Sequence, residues 1–269
     1  MKTVKLKPKE GRRIQRGHPW VFSNELERTP GGLAPGELVD VLDHGGRFIG
    51  RGYINPHSLI AIRLLTRKQE PVDLDFLRRK ISSAHVLRKR LCLGDSFRAV
   101  FSEGDGLPGL IVDKYAGTLV VQSLTAGIDA LLDDILAALT EEYAPAAIVL
   151  RNDAAVREIE GLAREKGVVY GSVSGPVTIE ESGINYRVDV LEGQKTGFFL
   201  DQRENRQTLR DFAQGRRTLD CFCYVGAWAL SAARFGATEV IGLDSSEAAV
   251  KLATENAALN NLAVHFKTA

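Results

Sequence analysis

Between Thr218 and Phe266 the chain alternates strand-like and helix-like segments, and this alternation limits the fold more than any other feature. Thr218–Phe222 and Val240–Leu243 read as buried strands, and Ala263–Phe266 as the start of a third. Ala227–Phe235 reads as a helix, as does Ser246–Leu259, capped by Ser245 or Ser246. A βαβαβ order calls for a parallel sheet with right-handed crossovers. Arg203–Phe212 supplies a helical lead-in.

The first strand meets its helix through Asp220-Cys221-Phe222-Cys223-Tyr224-Val225-Gly226. Gly226 can bring backbone close to a ligand at a helix N-terminus. Asp244 ends the second strand 18 residues later. That is near the ~20-residue offset at which a carboxylate accepts from ribose hydroxyls. The loop lacks G-x-G-x-x-G, so the pyrophosphate cradle of an NAD site is missing. A loop that opens on Asp220 suits a ligand with a cationic amino-acid end, such as S-adenosylmethionine (SAM). An ordinary βαβ turn with a surface aspartate is the alternative.

Upstream the pattern is different. Glu37–Val41, Arg47–Tyr53 and Leu59–Leu65 read as short strands of a small β-barrel-like unit, punctuated by Pro35-Gly36, His44-Gly45-Gly46 and Asn55-Pro56. Gly11–Gly17 is a basic turn or short helix leading to the apolar anchor His18–Phe22. Val72–Leu93 carries Leu74, Leu77, Ile81, Ala84, Leu87 and Leu91 at helical spacing among Arg and Lys, as a connecting helix would. Strands are expected near Phe97–Phe101, Gly109–Asp113, Leu119–Leu124 and Ala147–Leu150, and helices at Ile128–Glu142 and Ala154–Arg164. A hairpin of Val177–Glu181 and Ile184–Val190 turns at Ser182-Gly183. The expected architecture is multidomain α/β and α+β. It divides into a barrel over 1–70, an α+β central domain over 71–192 and a partial Rossmann-like domain over 193–269.

Charge is unevenly placed. Residues 1–98 hold 20 Lys and Arg against 10 Asp and Glu, while the whole chain has a net charge of only +1. A basic module suggests a polyanionic partner, because cations that neutralise phosphates release counterions. Arg12, Arg13, Arg16 and the run Arg78-Arg79-Lys80 are the candidate RNA contacts, with the run open to reading as a solvated helix face. No apolar run reaches the ~18 residues of a membrane helix, and no apolar core follows the basic N-terminus, so neither a membrane nor secretion is expected. Three cysteines, Cys92, Cys221 and Cys223, are too few for a disulfide framework, and a reducing cytoplasm is the simplest home. The five histidines are scattered, and no metal site is expected.

The motifs together resemble one family. Asp220–Gly226, preceded by Gly193-Gln-Lys-Thr-Gly-Phe-Phe-Leu-Asp-Gln-Arg203, resembles the RlmI-like family of SAM-dependent rRNA (cytosine-5) methyltransferases. Ser102-Glu-Gly-Asp-Gly-Leu-Pro-Gly-Leu-Ile-Val-Asp-Lys-Tyr115 resembles the central-domain signature of that family, and Gly17–Phe22 with the following strands resembles its N-terminal PUA domain. The resemblance implies a cytoplasmic enzyme of PUA-like barrel, α+β middle and class I methyltransferase domain, with SAM as cofactor and rRNA as partner. Whether it forms a homodimer is left open. Carried over, Asp220, Tyr224 and Gly226 would line the methionine end of SAM and Asp244 the ribose. Lys195, Gln202 and Arg203 would lie beside cofactor or RNA, unless they form a capping and salt-bridge cluster. Phe198 and Phe199 read as packing residues rather than base-stacking ones.

Cytosine C5 is not nucleophilic, and such enzymes add a cysteine thiolate at C6 to activate it. The resemblance places that nucleophile, and a D-P-P-type segment, downstream of the third strand. Residues 1–269 reach neither, so the catalytic residue is expected beyond Ala269 and the chain as given is expected to be inactive. Cys221 and Cys223, spaced C-x-C on the first strand, would share one face at the cofactor loop and read as packing residues. A catalytically inert RNA-binding module and a nucleotide-dependent oxidoreductase are the rival readings.

Overall fold

The computed structural model describes residues 1–27, 31–91 and 93–269, so Cys92 lies outside the described residues. Two compact units emerge. The first comprises Met1–Cys92, Ala99–Asp113 and Leu119–Gly171, and the second Leu93–Arg98, Lys114–Thr118 and Ser172–Ala269.

The first unit opens with β1 (Lys2–Lys5), α1 (Arg12–Gln15), β2 (Trp20–Val21), β3 (Leu38–Leu42), β4 (Phe48–Ile54) and β5 (Ile62–Thr66). The strands form one five-stranded sheet in the order β1-β3-β4-β5-β2. Val4, Val21, Val39, Val41 and Ile62 from the strands, with Ile14 from α1, make a buried apolar cluster. Strand β1 is not expected from sequence, because Lys-Thr-Val-Lys offers one apolar side chain, Val4, to the core.

Next comes α2 (Leu74–Arg90). Asp73 caps it by accepting from the Phe76 N–H at 2.9 Å, and Arg88, Lys89 and Arg90 complement the dipole in its last turn. Phe76, Leu77, Ile81 and Ala84 are buried, but Leu87 and Leu91 of the same periodic pattern are exposed. Then follow β6 (Phe97–Phe101), β7 (Leu110–Tyr115), β8 (Thr118–Ser123), α3 (Ala126–Ala130), α4 (Leu132–Tyr143), β9 (Ala147–Asn152), α5 (Val156–Ile159) and β10 (Glu165–Gly171). These strands form a second sheet in the order β10-β9-β8-β7-β6. The helix expected across Ala154–Arg164 is only the single turn α5. Gly161, with φ at 80°, stops it, and the β-favouring Val168-Val169-Tyr170 continues as β10, antiparallel to β9.

The second unit contains β11 (Val177–Glu181) and β12 (Ile184–Val188), joined through Ser182 and Gly183, both at positive φ as a two-residue hairpin turn requires. After α6 (Arg203–Thr208) and α7 (Arg210–Ala213) come β13 (Arg217–Cys221), α8 (Ala227–Arg234), β14 (Glu239–Asp244), α9 (Glu247–Leu259) and β15 (His265–Thr268). The last three strands form a parallel sheet in the order β13-β14-β15. Ser246 is the cap of α9, accepting from the Ala249 N–H at 3.3 Å. Among the described residues, strand β13 is bonded to β14, and its Leu219 is 59% exposed. Among the described residues, no helix is long and apolar enough to cross a membrane.

Candidate functional site

Parallel strands β13 and β14 end side by side, with Asp220 opposite Gly242 and Cys221 opposite Leu243. Asp220 and Asp244 therefore reach the crevice at the carboxyl edge of the sheet, where open α/β sheets bind ligands. The connecting loop takes an unusual path. Phe222, Tyr224 and Gly226 all have positive φ, at 64°, 50° and 82°. For the first two this is a strained conformation that surrounding bonds must hold.

Asp244 supplies much of that hold. Its Oδ2 accepts from the Tyr224 N–H at 2.8 Å and its Oδ1 from the Ser246 N–H at 2.9 Å. The Cys223 N–H donates to the Leu243 carbonyl at 2.9 Å. A carboxylate has about four acceptor positions, so two remain on Asp244 for other donors. Tyr224 braces a second segment. Its hydroxyl accepts from the Gln194 N–H at 2.9 Å and donates to the Gly197 carbonyl at 3.0 Å, which ties the loop to the turn Gly193–Gly197. Gly226 caps α8, and a Cβ on it would lie 2.6 Å from the Phe266 ring. Its missing side chain thus admits Phe266.

Asp220 is half-buried and accepts from the Ala229 N–H at 3.0 Å. Burial, with the Asp244 charge added, pushes its carboxyl up to about 6. Burial pushes the Cys223 thiol up to about 12, with Asp220 and Asp244 acting in the same direction. The two thiols do not share a strand face. Cys221 ends β13 exposed, whereas Cys223 is buried in the loop, because the left-handed Phe222 breaks the alternation between them.

A cleft of about 330 Å³ opens beside the loop, lined by Lys195, Phe199, Gln202, Tyr224, Phe222 and Trp228 among others. Lys195 places its Nζ 4.4 Å from the centre of the Phe199 ring, and Phe199 meets Tyr224 edge to face at 5.8 Å. Gln202 donates to Asp201 at 3.1 Å. Of the residues singled out in the sequence, Lys195, Gln202 and Tyr224 share this cleft, while Asp220 and Asp244 hold the strand ends behind the loop. Arg203 turns elsewhere. It pairs with Glu181 at 3.2 Å and donates to the Leu93 carbonyl at 2.7 Å, the salt-bridge reading of that cluster. Phe198 is buried between Arg206 and Tyr186, as a packing residue. Phe222 and Trp228 escape the sequence reading, although two aromatics flanking a strand-to-helix loop are visible there.

The fit to SAM rests on these groups. Aromatic faces attract a sulfonium cation as they do other cations. Lys195 and Gln202 offer donors to a carboxylate, and Asp220 and Asp244 offer acceptors to an ammonium and a diol. Among the described residues, no group of three or more His, Cys, Asp or Glu gathers to hold a metal ion.

The RNA candidates lie in the first unit. Arg12, Arg13 and Arg16 are exposed on and just after α1, with Arg13 paired to Glu25 at 2.9 Å and stacked 4.7 Å over Phe22. On α2, Arg78 is held by Asp75 and Glu141, both at 2.6 Å, and Arg79 by Glu70 at 3.0 Å. Lys80 is half-buried over the Phe76 ring.

Known proteins resemble the chain in sequence and in fold. The profile of PUA-like domains matches residues 4–67, and that of S-adenosylmethionine-dependent methyltransferases matches residues 168–266. In fold, the chain matches a protein from Streptococcus mutans described as a SAM-dependent methyltransferase, with a TM-score of 0.84 at 20% identity, over 100% of this chain and 70% of that one. A methyltransferase structure in complex with SAH gives a TM-score of 0.86 at 21% identity, with the same coverage. In sequence, the chain is 41% identical to ribosomal RNA large subunit methyltransferase I of Shewanella denitrificans, over 96% of this chain and 67% of the relative. It is 42% identical to the protein of the same name from Erwinia tasmaniensis, over 98% of this chain and 69% of the relative. With a PUA-like match over residues 4–67, a SAM-dependent methyltransferase match over residues 168–266 and this identity over two thirds of its relatives' length, the chain belongs to the ribosomal RNA large subunit methyltransferase I family of SAM-dependent methyltransferases.

Proposed function

We propose that the protein methylates C5 of a cytosine in cytoplasmic large-subunit rRNA, with SAM held at the ends of β13 and β14. The observation that supports this most directly is the juxtaposition of Asp220, Asp244 and the left-handed loop with the aromatic cleft of Lys195, Phe199 and Tyr224. SAM supplies an electrophilic methyl group on a sulfonium. In this reading Asp220 faces the ammonium of the methionine end, Asp244 accepts from the ribose while bracing the loop, and Lys195 and Gln202 meet the carboxylate. The cofactor and the base are thus bound by separate parts of the chain. The N-terminal 1–70 serves rRNA docking, 71–192 links, and 193–269 contributes the cofactor site.

Neither loop cysteine serves as the nucleophile in this reading. Cys223 is buried beside two carboxylates that hold its thiol protonated, and Cys221 lies exposed at the strand end. Thiolate attack at C6 of the base therefore belongs to a different residue.

Calorimetry with SAM tests the cofactor site. Asp244→Ala should weaken binding by about 1–3 kcal/mol through lost charge-assisted bonds and a loosened loop. Wild-type affinity in that variant would remove Asp244 from the site, and preference for NAD over SAM would overturn the whole assignment. Tritium release from rRNA labelled at cytosine C5, measured with a protein that also carries the nucleophile, tests the reaction, and Cys221→Ser and Cys223→Ser should leave it intact.

A further inference from the structure

Helix α2 presents a stripe of Lys80, Ser83, Leu87 and Arg90 to a groove of about 580 Å³, whose other wall is the loop Gly104-Asp105-Gly106. The groove is cationic. Lys80 has one carboxylate acting on it, Glu70, and that group is already hydrogen-bonded to Thr66 and Arg79. The acid on the opposite wall, Asp105, is matched by Arg88 through two bonds of 2.5 and 2.7 Å. Gly106 makes room for Lys80, since a Cβ there would lie 2.7 Å from the Lys80 Nζ.

The groove also has an apolar rim. Leu87 is 48% exposed and Phe101, which lies 3.4 Å from where a Gly104 Cβ would be, is 55% exposed. Burial holds the Lys80 ammonium below the usual lysine range, and a phosphate arriving there would offset that cost more fully than Glu70 does. Cations along one wall with an exposed aromatic at the rim match what single-stranded nucleic acid needs, a charged track for the backbone and a face for a base.

We infer that this groove is an RNA-binding surface separate from α1, where Lys80 and Arg90 take backbone phosphates of a single-stranded rRNA segment and Phe101 stacks one base. The inference rests on the rRNA reading above and adds where a strand lies. Within the run Arg78-Arg79-Lys80 it separates Lys80, which faces the groove, from two arginines matched by acids.

The test is binding of a labelled single-stranded fragment of large-subunit rRNA to the full chain, measured across a salt series. Lys80→Gln should weaken binding several-fold and make the slope of log affinity against log salt shallower by about 0.7. Phe101→Ala should weaken it about tenfold with the slope unchanged, because stacking is not ionic. Arg79→Gln should leave both affinity and slope as in wild type. Photocrosslinking of thiouridine-substituted RNA to the unaltered chain should mark residues between 80 and 106. If wild type binds but both groove variants match it and no crosslink falls there, the groove assignment is overturned while the rRNA reading stands. If wild type binds no rRNA fragment, both fall. A shift in oligomeric state on Leu87→Glu with RNA affinity unchanged would give the groove to a second copy of the chain and also overturn the assignment.

Discussion

Burial sets Asp220 apart from an ordinary carboxylate. A carboxyl in the unfolded chain loses its proton near 3.8, while in the folded protein burial delays this to about 6. Between these values the folded state binds more protons than the unfolded one, so stability falls as pH rises through the window and levels off above it. Asp220→Asn keeps an oxygen for the Ala229 N–H and removes the charge. The stability gain of the variant over wild type should therefore be small at pH 4, grow to about 2–3 kcal/mol by pH 6.5, and stay nearly flat to pH 8. Urea unfolding at a series of pH values reads this directly. A gain independent of pH would mean that Asp220 is not held in the protonated form. Spacing to Asp244 is enough to put Asp220 at the strand end from sequence alone. It could not show that the same Asp244 also holds the Tyr224 N–H, because that bond exists only once the crossover through α8 brings β13 and β14 together.

At the scale of elements, a buried ion cluster joins the hairpin β11–β12 to α6. Glu181, at the end of β11, accepts from Arg206 at 2.6 and 2.8 Å and from Arg203 at 3.2 Å, and both Glu181 and Arg206 are under 5% exposed. Removing one partner strands a buried charge, so Glu181→Leu should destabilise the second unit by about 3–5 kcal/mol. Glu181→Leu with Arg206→Met should recover a large part of that loss in denaturant melts, and no recovery would show that packing rather than charge sets the effect. The hairpin itself is legible, since Ser182-Gly183 between two alternating runs specifies a two-residue turn. The cluster is not, because Glu181 and Arg206 lie 25 residues apart with no pattern linking them. Elements whose burial depends on their neighbours are misjudged for the same reason. In α2, helical periodicity locates the core face as far as Ala84, but whether Leu87 and Leu91 are covered depends on where α4 packs, and both stay exposed.

At the scale of the molecule, a charge count along the chain overstates what a polyanion meets. Residues 1–98 carry a net +10, but residues 99–171 carry 12 Asp and Glu against 5 Lys and Arg, and both stretches fold largely into the first unit. Helix α4 takes part of the excess, with Glu141 on Arg78 and Glu142 on His85, both at 2.6 Å. On α1 the balance is different. Arg12 and Arg16 are exposed and make no ion pair among the described residues, while Ile14 between them is fully buried and fixes their helix on the sheet. Arginines set on an anchored turn lose little further freedom on meeting a phosphate, so they should count fully in counterion release. Arg12→Gln with Arg16→Gln is expected to make the slope of log rRNA affinity against log salt shallower by about 1.4, or about 0.7 for each single-strand phosphate left unneutralised. Arg78→Gln should leave that slope unchanged and instead lower the melting temperature of the first unit slightly, as an exposed pair with Glu141 warrants. Filter binding across a salt series from about 50 to about 200 mM separates the two. Equal slope changes in both variants would show that net charge alone, not its pairing in the fold, governs how this protein meets RNA.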